Sequence, residues 1–264
     1  MRSNLLVGIS SAVAAVAVAG SAMASTTIYS NIPSTLDGSY PSIGFQATTT
    51  SELGSRINFA GTDRQLTDFT VTMVNWARYE DYNTGGQHYS TGQWAGNGFN
   101  QNLTLNIYAA GSGNTPGALL HTVTQSHFIA YRPTGWSFNG FAQNISFDLS
   151  ALNITAPDSI VWGLAYNTQT RGYSPTGVAG PYNSLNVGVG PTTTTVGSQV
   201  DSSFFVYSPY YNPTAPNGGN SFSLMTEGWA QNSYQPMASF SAVPAPGAIA
   251  LLGAAGLMGR RRRN

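Results

Sequence analysis

Histidine and cysteine bring metal-binding or nucleophilic chemistry to many proteins, and this chain has three histidines and no cysteine. His121 and His127 share one face of a regular strand because an even number of positions separates them, and His88 lies apart from both. A zinc site needs about three or four ligands, and neither cysteine nor a His-x-x-x-His spacing supplies them here. We therefore predict no metal site and expect the histidines at the surface or rim of the fold.

Paired carboxylates are the next candidates for chemistry. Asp63 with Asp68, or Glu80 with Asp81, would serve glycoside hydrolysis if the fold held two carboxylates about 5 to 10 Å apart across a cleft. The turn at residues 80–85 offers oxygen ligands but lacks the spaced aspartates of a dedicated calcium loop. No Gly-x-Ser-x-Gly elbow, His-Glu-x-x-His motif, phosphate-binding loop or dinucleotide fingerprint occurs. We therefore predict no catalytic residue and no cofactor, and glycan cleavage is the third-ranked function.

Aromatic side chains form the most distinctive pattern. A Gly/Asn-rich stretch contains Trp76, Tyr79, Tyr82, Tyr89, Trp94 and Phe99, and a second group contains Tyr207, Tyr210 and Tyr211. Flat rings flanked by amides and hydroxyls suit stacking on sugars. This pattern predicts glycan contact through Trp94, Tyr82, Tyr89, Tyr210 and Tyr211. The alternative, which we favour, is that Trp76 and about half of the tyrosines fill the core of the sandwich and cap its ends.

The charge pattern excludes several functions. Charged residues make up 8% of the 264-residue chain, against about 25% in an ordinary soluble domain. All ten basic residues are arginine. Without Arg2 and the last four arginines, which lie in the two terminal segments, five arginines and ten acids remain, so the body of the chain has a formal charge of −5. An acidic body without lysine argues against nucleic-acid binding, which rests on clustered cations. The absence of lysine excludes Schiff-base chemistry, and the absence of cysteine excludes a thiolate nucleophile.

Residues 25–242 show no fixed-period repeat and no linker, so we expect one domain. Apolar and polar residues alternate with period two in residues 66–76, 103–108, 118–124 and 145–149. The strands predicted at 103–108 and 118–124 flank a Gly/Pro turn and form a predicted hairpin. Residues 160–166 are apolar on both faces, as in a central strand, and weaker strands are predicted at 185–189, 204–207 and 238–242. Eight to eleven strands without an amphipathic helix predict an all-β fold, a single β-sandwich of jelly-roll or immunoglobulin-like form, with a closed barrel as the alternative.

The amino-terminal segment, residues 1–24, has the three parts of a secretory signal peptide. A short basic start precedes an apolar stretch, and Ala22 and Ala24 flank a single residue before Ser25. We predict that this segment is a helix removed by signal peptidase between Ala24 and Ser25 after passage through the secretion translocon. The alternative is a retained transmembrane helix.

The carboxyl-terminal segment, residues 243–264, joins a proline pair to an apolar stretch and a basic cluster. It begins with Val243, Pro244, Ala245 and Pro246, continues with an apolar or glycine stretch at 248–259 and ends with Arg260, Arg261, Arg262 and Arg263. Twelve helical residues reach only about 18 Å, short of the ~30 Å hydrocarbon core. Snorkelling arginines extend this reach, so we expect a short membrane helix whose arginines stay in the cytoplasm.

This order of proline pair, apolar helix and terminal arginines closely resembles the PEP-CTERM sorting signal, although Ala245 replaces the acidic residue usual between the prolines. The resemblance implies an exosortase as partner, transient anchoring in the inner membrane and release to the outer surface or extracellular matrix. An ordinary anchor that is never cut is the alternative. We therefore expect a non-enzymatic cell-surface or matrix protein, and the second-ranked function is a module that binds extracellular polysaccharide.

Overall fold

A computed structural model describes residues 24–36, 40–82, 98–112, 116–133, 140–191, 193–199, 205–208, 221–224 and 234–245. The described chain is an all-β sandwich of two antiparallel sheets, as the sequence predicts. The predicted signal helix and the predicted apolar helix near the carboxyl terminus lie outside the described residues, and the model does not test them.

The strands in chain order are β1 (Thr26–Ser30), β2 (Ser42–Gly44), β3 (Glu52–Asn58), β4 (Gln65–Asn75), β5 (Gly98–Ala110), β6 (Pro116–Ala130), β7 (Phe141–Asp148), β8 (Ser159–Ala165), β9 (Leu185–Pro191), β10 (Ser198–Gln199), β11 (Phe205–Ser208), β12 (Ser221–Leu224), β13 (Tyr234–Pro236) and β14 (Ala238–Val243). One helical turn, α1 (Tyr79–Tyr82), follows β4, and short 3-10 turns lie at Ser150–Leu152 and Pro181–Ser184. This count exceeds the predicted eight to eleven, because strands of two to four residues are too short to show alternation.

Each sheet contains seven strands. The first sheet has the order β1-β14-β4-β9-β13, with β7 beside β4 and β2 beside β9. The second sheet has the order β12-β11-β3-β8-β5-β6, with β10 beside β3. The central strand that the sequence predicts is β8, which lies between β3 and β5, and the predicted hairpin is β5–β6.

The alternation predicted for β4 directs Phe69, Val71 and Met73 into the space between the sheets, where all three are fully buried. Trp162 of β8 comes from the opposite sheet, and its ring centroid lies 5.3 Å from that of Phe69. Burial of large apolar side chains such as these is the main favourable contribution to the stability of the fold, at about 1.5 to 3 kcal/mol for each.

The first and last strands of the domain are paired with each other. Thr26 of β1 lies opposite Ala242 of β14, and Val243 lies opposite Gln65 at the start of β4. We call this end of the sandwich, with Thr26, Gln65 and Val243, the lower end. The opposite end, which holds Asn75 of β4 and Phe141 of β7, is the upper end. Because β4 has 11 residues, the two ends are about 34 Å apart.

Candidate functional site

Trp76 lies at the upper end, directly after β4, and is 39% exposed. Its indole N–H donates to Ser42 Oγ at 3.0 Å, and the Asn186 amide contacts the same hydroxyl at 2.9 Å. Gly140 packs against the ring edge, since a Cβ atom at that position would lie 2.7 Å from both Cδ1 and Nε1 of the indole. The tryptophan is therefore held in one orientation while part of its ring stays open to solvent.

Tyr82 is the second exposed ring of the upper end, with 36% of its surface accessible. Its hydroxyl lies 3.2 Å from Ser184 Oγ, and the carbonyl of Ser184 accepts the backbone N–H of Trp76 at 2.9 Å. Ser184 thus contacts the hydroxyl of Tyr82 and the backbone of Trp76. Both aromatic residues belong to the stretch that the sequence singles out. Trp76 lies at the end of the sandwich and does not fill its core, because β4 ends one residue earlier.

Two arginines accompany these rings. The Arg132 guanidinium lies over the Trp76 ring, 5.7 Å from its centroid. The backbones of Arg132 and Arg78 form an isolated parallel β-bridge. Partial burial, with the charge of Arg78, lowers the pKa of Arg132, while Asp81 and Glu80 act in the opposite direction. The guanidinium and indole form a cation–π pair at the surface.

Buried rings support the exposed ones from below. Tyr131, only 6% exposed, lies 6.3 Å from the Tyr79 ring and 5.7 Å from the Phe99 ring, measured between centroids. Phe99 belongs to the start of β5 and Tyr131 follows the end of β6, so the hairpin brings them together. This packing fixes α1, and with it Tyr82, against the second sheet.

Amides and hydroxyls line the connection from β8 to β9, which also lies at the upper end. Gln46 Oε1 accepts from the Thr168 hydroxyl at 2.8 Å and from the Thr170 backbone N–H at 3.1 Å. Asn183 Oδ1 accepts the backbone N–H of Gln169 at 2.9 Å. The loop is therefore held by side-chain hydrogen bonds and offers polar groups next to Ser184.

The predicted glycan contacts are only partly within the described residues. Tyr82 is described, whereas Trp94, Tyr89, Tyr210 and Tyr211 lie outside them. The structure adds Trp76, Arg132 and Ser184 to the candidate surface. We use the term upper surface for the set Trp76, Tyr82, Arg132, Ser42 and Ser184. Arg132 and Ser184 are more than 50 residues from Trp76, and no sequence spacing indicates that they meet.

The two carboxylate pairs singled out in the sequence lie in different parts of the described chain. Asp63 lies in the loop before β4 and Asp68 within β4, while Glu80 and Asp81 are consecutive in α1. Asp68 lies opposite Asp148 on the outer face of the first sheet. Hydrogen bonds from the hydroxyl and backbone N–H of Ser150 lower the pKa of Asp148. Among the described residues, no group of three histidine or acidic side chains is arranged to hold a metal ion.

The two described histidines lie on the same face of β6, as their spacing predicts. His127 is half-buried and packs on Phe147 of β7, with 4.5 Å between ring centroids. Burial lowers the pKa of His127. Within the part of the chain that the structure describes, its Nε2 has no hydrogen-bond partner.

The processing sites predicted at the two termini are described in part. Ala24 and Ser25 immediately precede β1, Val243 ends β14, and Pro244 and Ala245 follow it. Ala22, Pro246, Arg260, Arg261, Arg262 and Arg263 lie outside the described residues. In the ranges that are described, no helix is long and apolar enough to cross a membrane.

Comparison with known proteins gives no identification. No family model matches the chain, and no match is found among curated proteins or solved structures.

Proposed function

We propose that this chain is an exported protein of the cell surface or extracellular matrix, without catalytic activity, sorted through its PEP-CTERM-like tail. The observation that carries the proposal is the position of the domain boundaries. β1 begins two residues after the predicted signal-peptide cleavage site, and β14 ends at the first residue of the predicted sorting segment. Removal of both segments would therefore take only Val243, the last residue of β14, from the described strands.

The pairing of β1 with β14 also suits a tether. Thr26 and Ala242, which lie next to the two predicted processing sites, are direct partners at the lower end. A membrane anchor that follows Ala245 would thus hold the protein by its lower end. The upper surface, about 34 Å away along β4, would then face away from the attachment point.

The sorting proposal is tested by fractionating cells with and without the exosortase. We expect a protein that begins at Ser25 in both strains, with the tail removed and the product outside the cell only when the exosortase is present. Replacing residues 260–263 with glutamine should prevent retention at the membrane, whereas lysine at the same positions should preserve it, since the effect depends on charge. A product with its signal removed and its tail intact in both strains would contradict sorting while leaving export in place.

We propose polysaccharide binding at the upper surface as a second function, because two exposed aromatic residues both hydrogen-bond to Ser184 there. Trp76 and Tyr82 offer ring area, and Arg132, Ser42 and Ser184 supply a cation and hydroxyls. Exposed rings beside hydrogen-bonding groups are the combination that sugar recognition uses.

Titration with extracellular polysaccharide fractions tests this second function. Trp76→Ala should weaken binding at least about fivefold, on the order of 1 kcal/mol. Trp94→Ala tests the part of the predicted platform outside the described residues. Leu152→Ala is the matched control, because Leu152 is a 49% exposed apolar side chain in the 3-10 turn at the lower end, next to Asn153, which contacts Gln65. Equal losses for Trp76→Ala and Leu152→Ala, or no loss for Trp76→Ala, would contradict the assignment.

A further inference from the structure

Strand β6 is the edge of the second sheet and the longest strand of the described chain, with 15 residues. Its pairing with β5 is regular from His121 to Ala130, and no other described strand pairs with its outer edge. An edge strand offers a row of backbone N–H and C=O groups to any extended chain that approaches it.

The hydrogen bonds of Ala130 show which backbone groups of β6 point towards this edge. Its N–H donates to Gln143 Oε1 at 3.1 Å, and its C=O accepts from Gln143 Nε2 at 3.3 Å, so both point away from β5. Alternate residues of a strand point the same way. The backbone groups of Thr122, Thr124, Ser126 and Phe128 therefore face the edge, and residues 122–128 form the stretch that Gln143 does not cover.

This stretch lacks the usual protection of an edge. β6 contains no lysine, arginine, aspartate or glutamate, and its single proline is the first residue, Pro116. A bulge at Leu120 bends only the lower part of the strand. Natural sheets normally block such edges with charge, proline or bulges. Because the whole body is acidic, with a formal charge of −5, an uncharged edge is where a second copy meets least like-charge repulsion.

The exposed side chains in the regular part of β6 are arranged symmetrically about Thr124. Thr122 and Ser126 lie two residues to either side of it and are exposed, as Thr124 is. If a second β6 ran antiparallel with Thr124 on the two-fold axis, Thr122 would lie opposite Ser126 of the other copy, and the two Thr124 side chains would face each other. Hydroxyl pairs of this kind stabilise neighbouring strands.

We propose that β6 is a self-association edge, through which two copies of this chain join their second sheets into one continuous sheet. The partner is another copy, because the exposed hydroxyls of Thr122, Thr124 and Ser126 match their own sequence run antiparallel, and an uncharged edge is the part of an acidic body that a like-charged copy approaches with least repulsion. The inference is independent of sorting and of polysaccharide binding.

Cross-linking of the full chain in mild detergent tests the register. The chain has no cysteine, so Thr124→Cys introduces a single thiol. Across a hydrogen-bonded antiparallel pair the Cα atoms would be about 5.5 Å apart, within the range of a disulfide. Ser146→Cys is the matched control, since it carries the same tail and places an exposed thiol on the outer face of β7. We expect a disulfide-linked dimer with Thr124→Cys alone; equal cross-linking of both variants, or none, would overturn the proposal.

Sedimentation of the full chain gives a second readout. We expect a concentration-dependent dimer in the native chain and in Ser146→Lys, and a monomer in Thr124→Lys, because two lysines would meet on the axis. Circular dichroism shows whether each variant is folded. If Thr124→Lys does not fold, the cross-linking result for Thr124→Cys decides between dimer and monomer. A native chain that stays monomeric, or a dimer that survives Thr124→Lys, would overturn the proposal.

Discussion

At the scale of single residues, His127 shows how a half-buried site acquires a pH dependence. Its ring lies against Phe147 and, among the described residues, its Nε2 meets no acceptor or donor. Burial disfavours the charged imidazolium, and the pKa of His127 is therefore lowered from its ordinary value of 6.5. The unfolded chain takes up this proton at a higher pH than the folded chain does.

The consequence for stability follows from proton linkage. As the pH falls below about 6.5, the unfolded state binds the proton first, and the native state loses stability until its own lowered pKa is reached. His127→Phe keeps a ring against Phe147 and removes the titrating group, so its unfolding free energy should depend less on pH in this window. Urea denaturation at a series of pH values below 8 measures the difference. Parallel pH profiles for the native chain and the variant would contradict the expectation.

Residue identity alone does not separate the tryptophans of this chain. Trp162 lies within the stretch at 160–166 that is apolar on both faces and predicts a buried central strand, and it is fully buried. Trp76 follows the last residue of β4, so no periodicity determines its environment. Its exposure depends on Ser42, Gly140 and Ser184, which come from distant parts of the chain. The sequence therefore predicts core residues within strands far better than it predicts the surface at strand ends.

At the scale of elements, glutamines close the seam where β6 and β7 form neighbouring edges of the two sheets. Gln125 donates to the Asp148 carbonyl at 2.7 Å and accepts from the Asp148 N–H at 3.2 Å. Gln143 makes the reciprocal pair of hydrogen bonds with Ala130 of β6. Each amide thus occupies the place of a neighbouring strand and satisfies backbone groups at a sheet edge.

Removing one of these amides should loosen the seam locally. In Gln143→Ala the Ala130 N–H loses its acceptor, so its hydrogen exchange should accelerate at least about fivefold, equivalent to roughly 1 kcal/mol. Gln65→Ala is the control, since Gln65 donates to the Asn153 side chain at 3.1 Å at the lower end and should leave Ala130 unchanged. Unchanged exchange at Ala130 in Gln143→Ala would show that the amide does not protect the edge.

Sequence pattern predicts elements unevenly. Alternation identifies β4, β5, β7 and the lower half of β6, because each has enough residues to show a period of two. The pairing of β14 with both β1 and β4 joins residues from the two extremes of the domain, and local pattern contains no information on such distant partners. Strand existence was therefore predictable, whereas strand order and the glutamine seam were not.

At the scale of the whole molecule, the domain is closed by its own ends. β1 contributes Ile28 and Tyr29 to the core, with 2% and 0% exposure, although it lies only a few residues after the predicted cleavage site. The described core therefore includes β1, whereas Ala24 and Ser25, the described residues before it, are exposed. The proposed cleavage after Ala24 would leave β1 in place.

Two truncated chains test this boundary. A chain that begins at Ser25 should unfold cooperatively, whereas one that begins at Asn31 loses Ile28 and Tyr29 from the core, a cost of roughly 5 kcal/mol that approaches the whole stability of a typical domain. Urea unfolding followed by tryptophan fluorescence measures both. A cooperative transition of equal midpoint in the two chains would show that β1 is dispensable.

The most direct test of export and sorting is the intact mass of the native protein, isolated from its own cells together with the fraction in which it is found. We predict a protein from the outer surface or the medium that begins at Ser25 and lacks the arginine cluster at residues 260–263. A cytosolic protein whose mass corresponds to all 264 residues would contradict the proposed function.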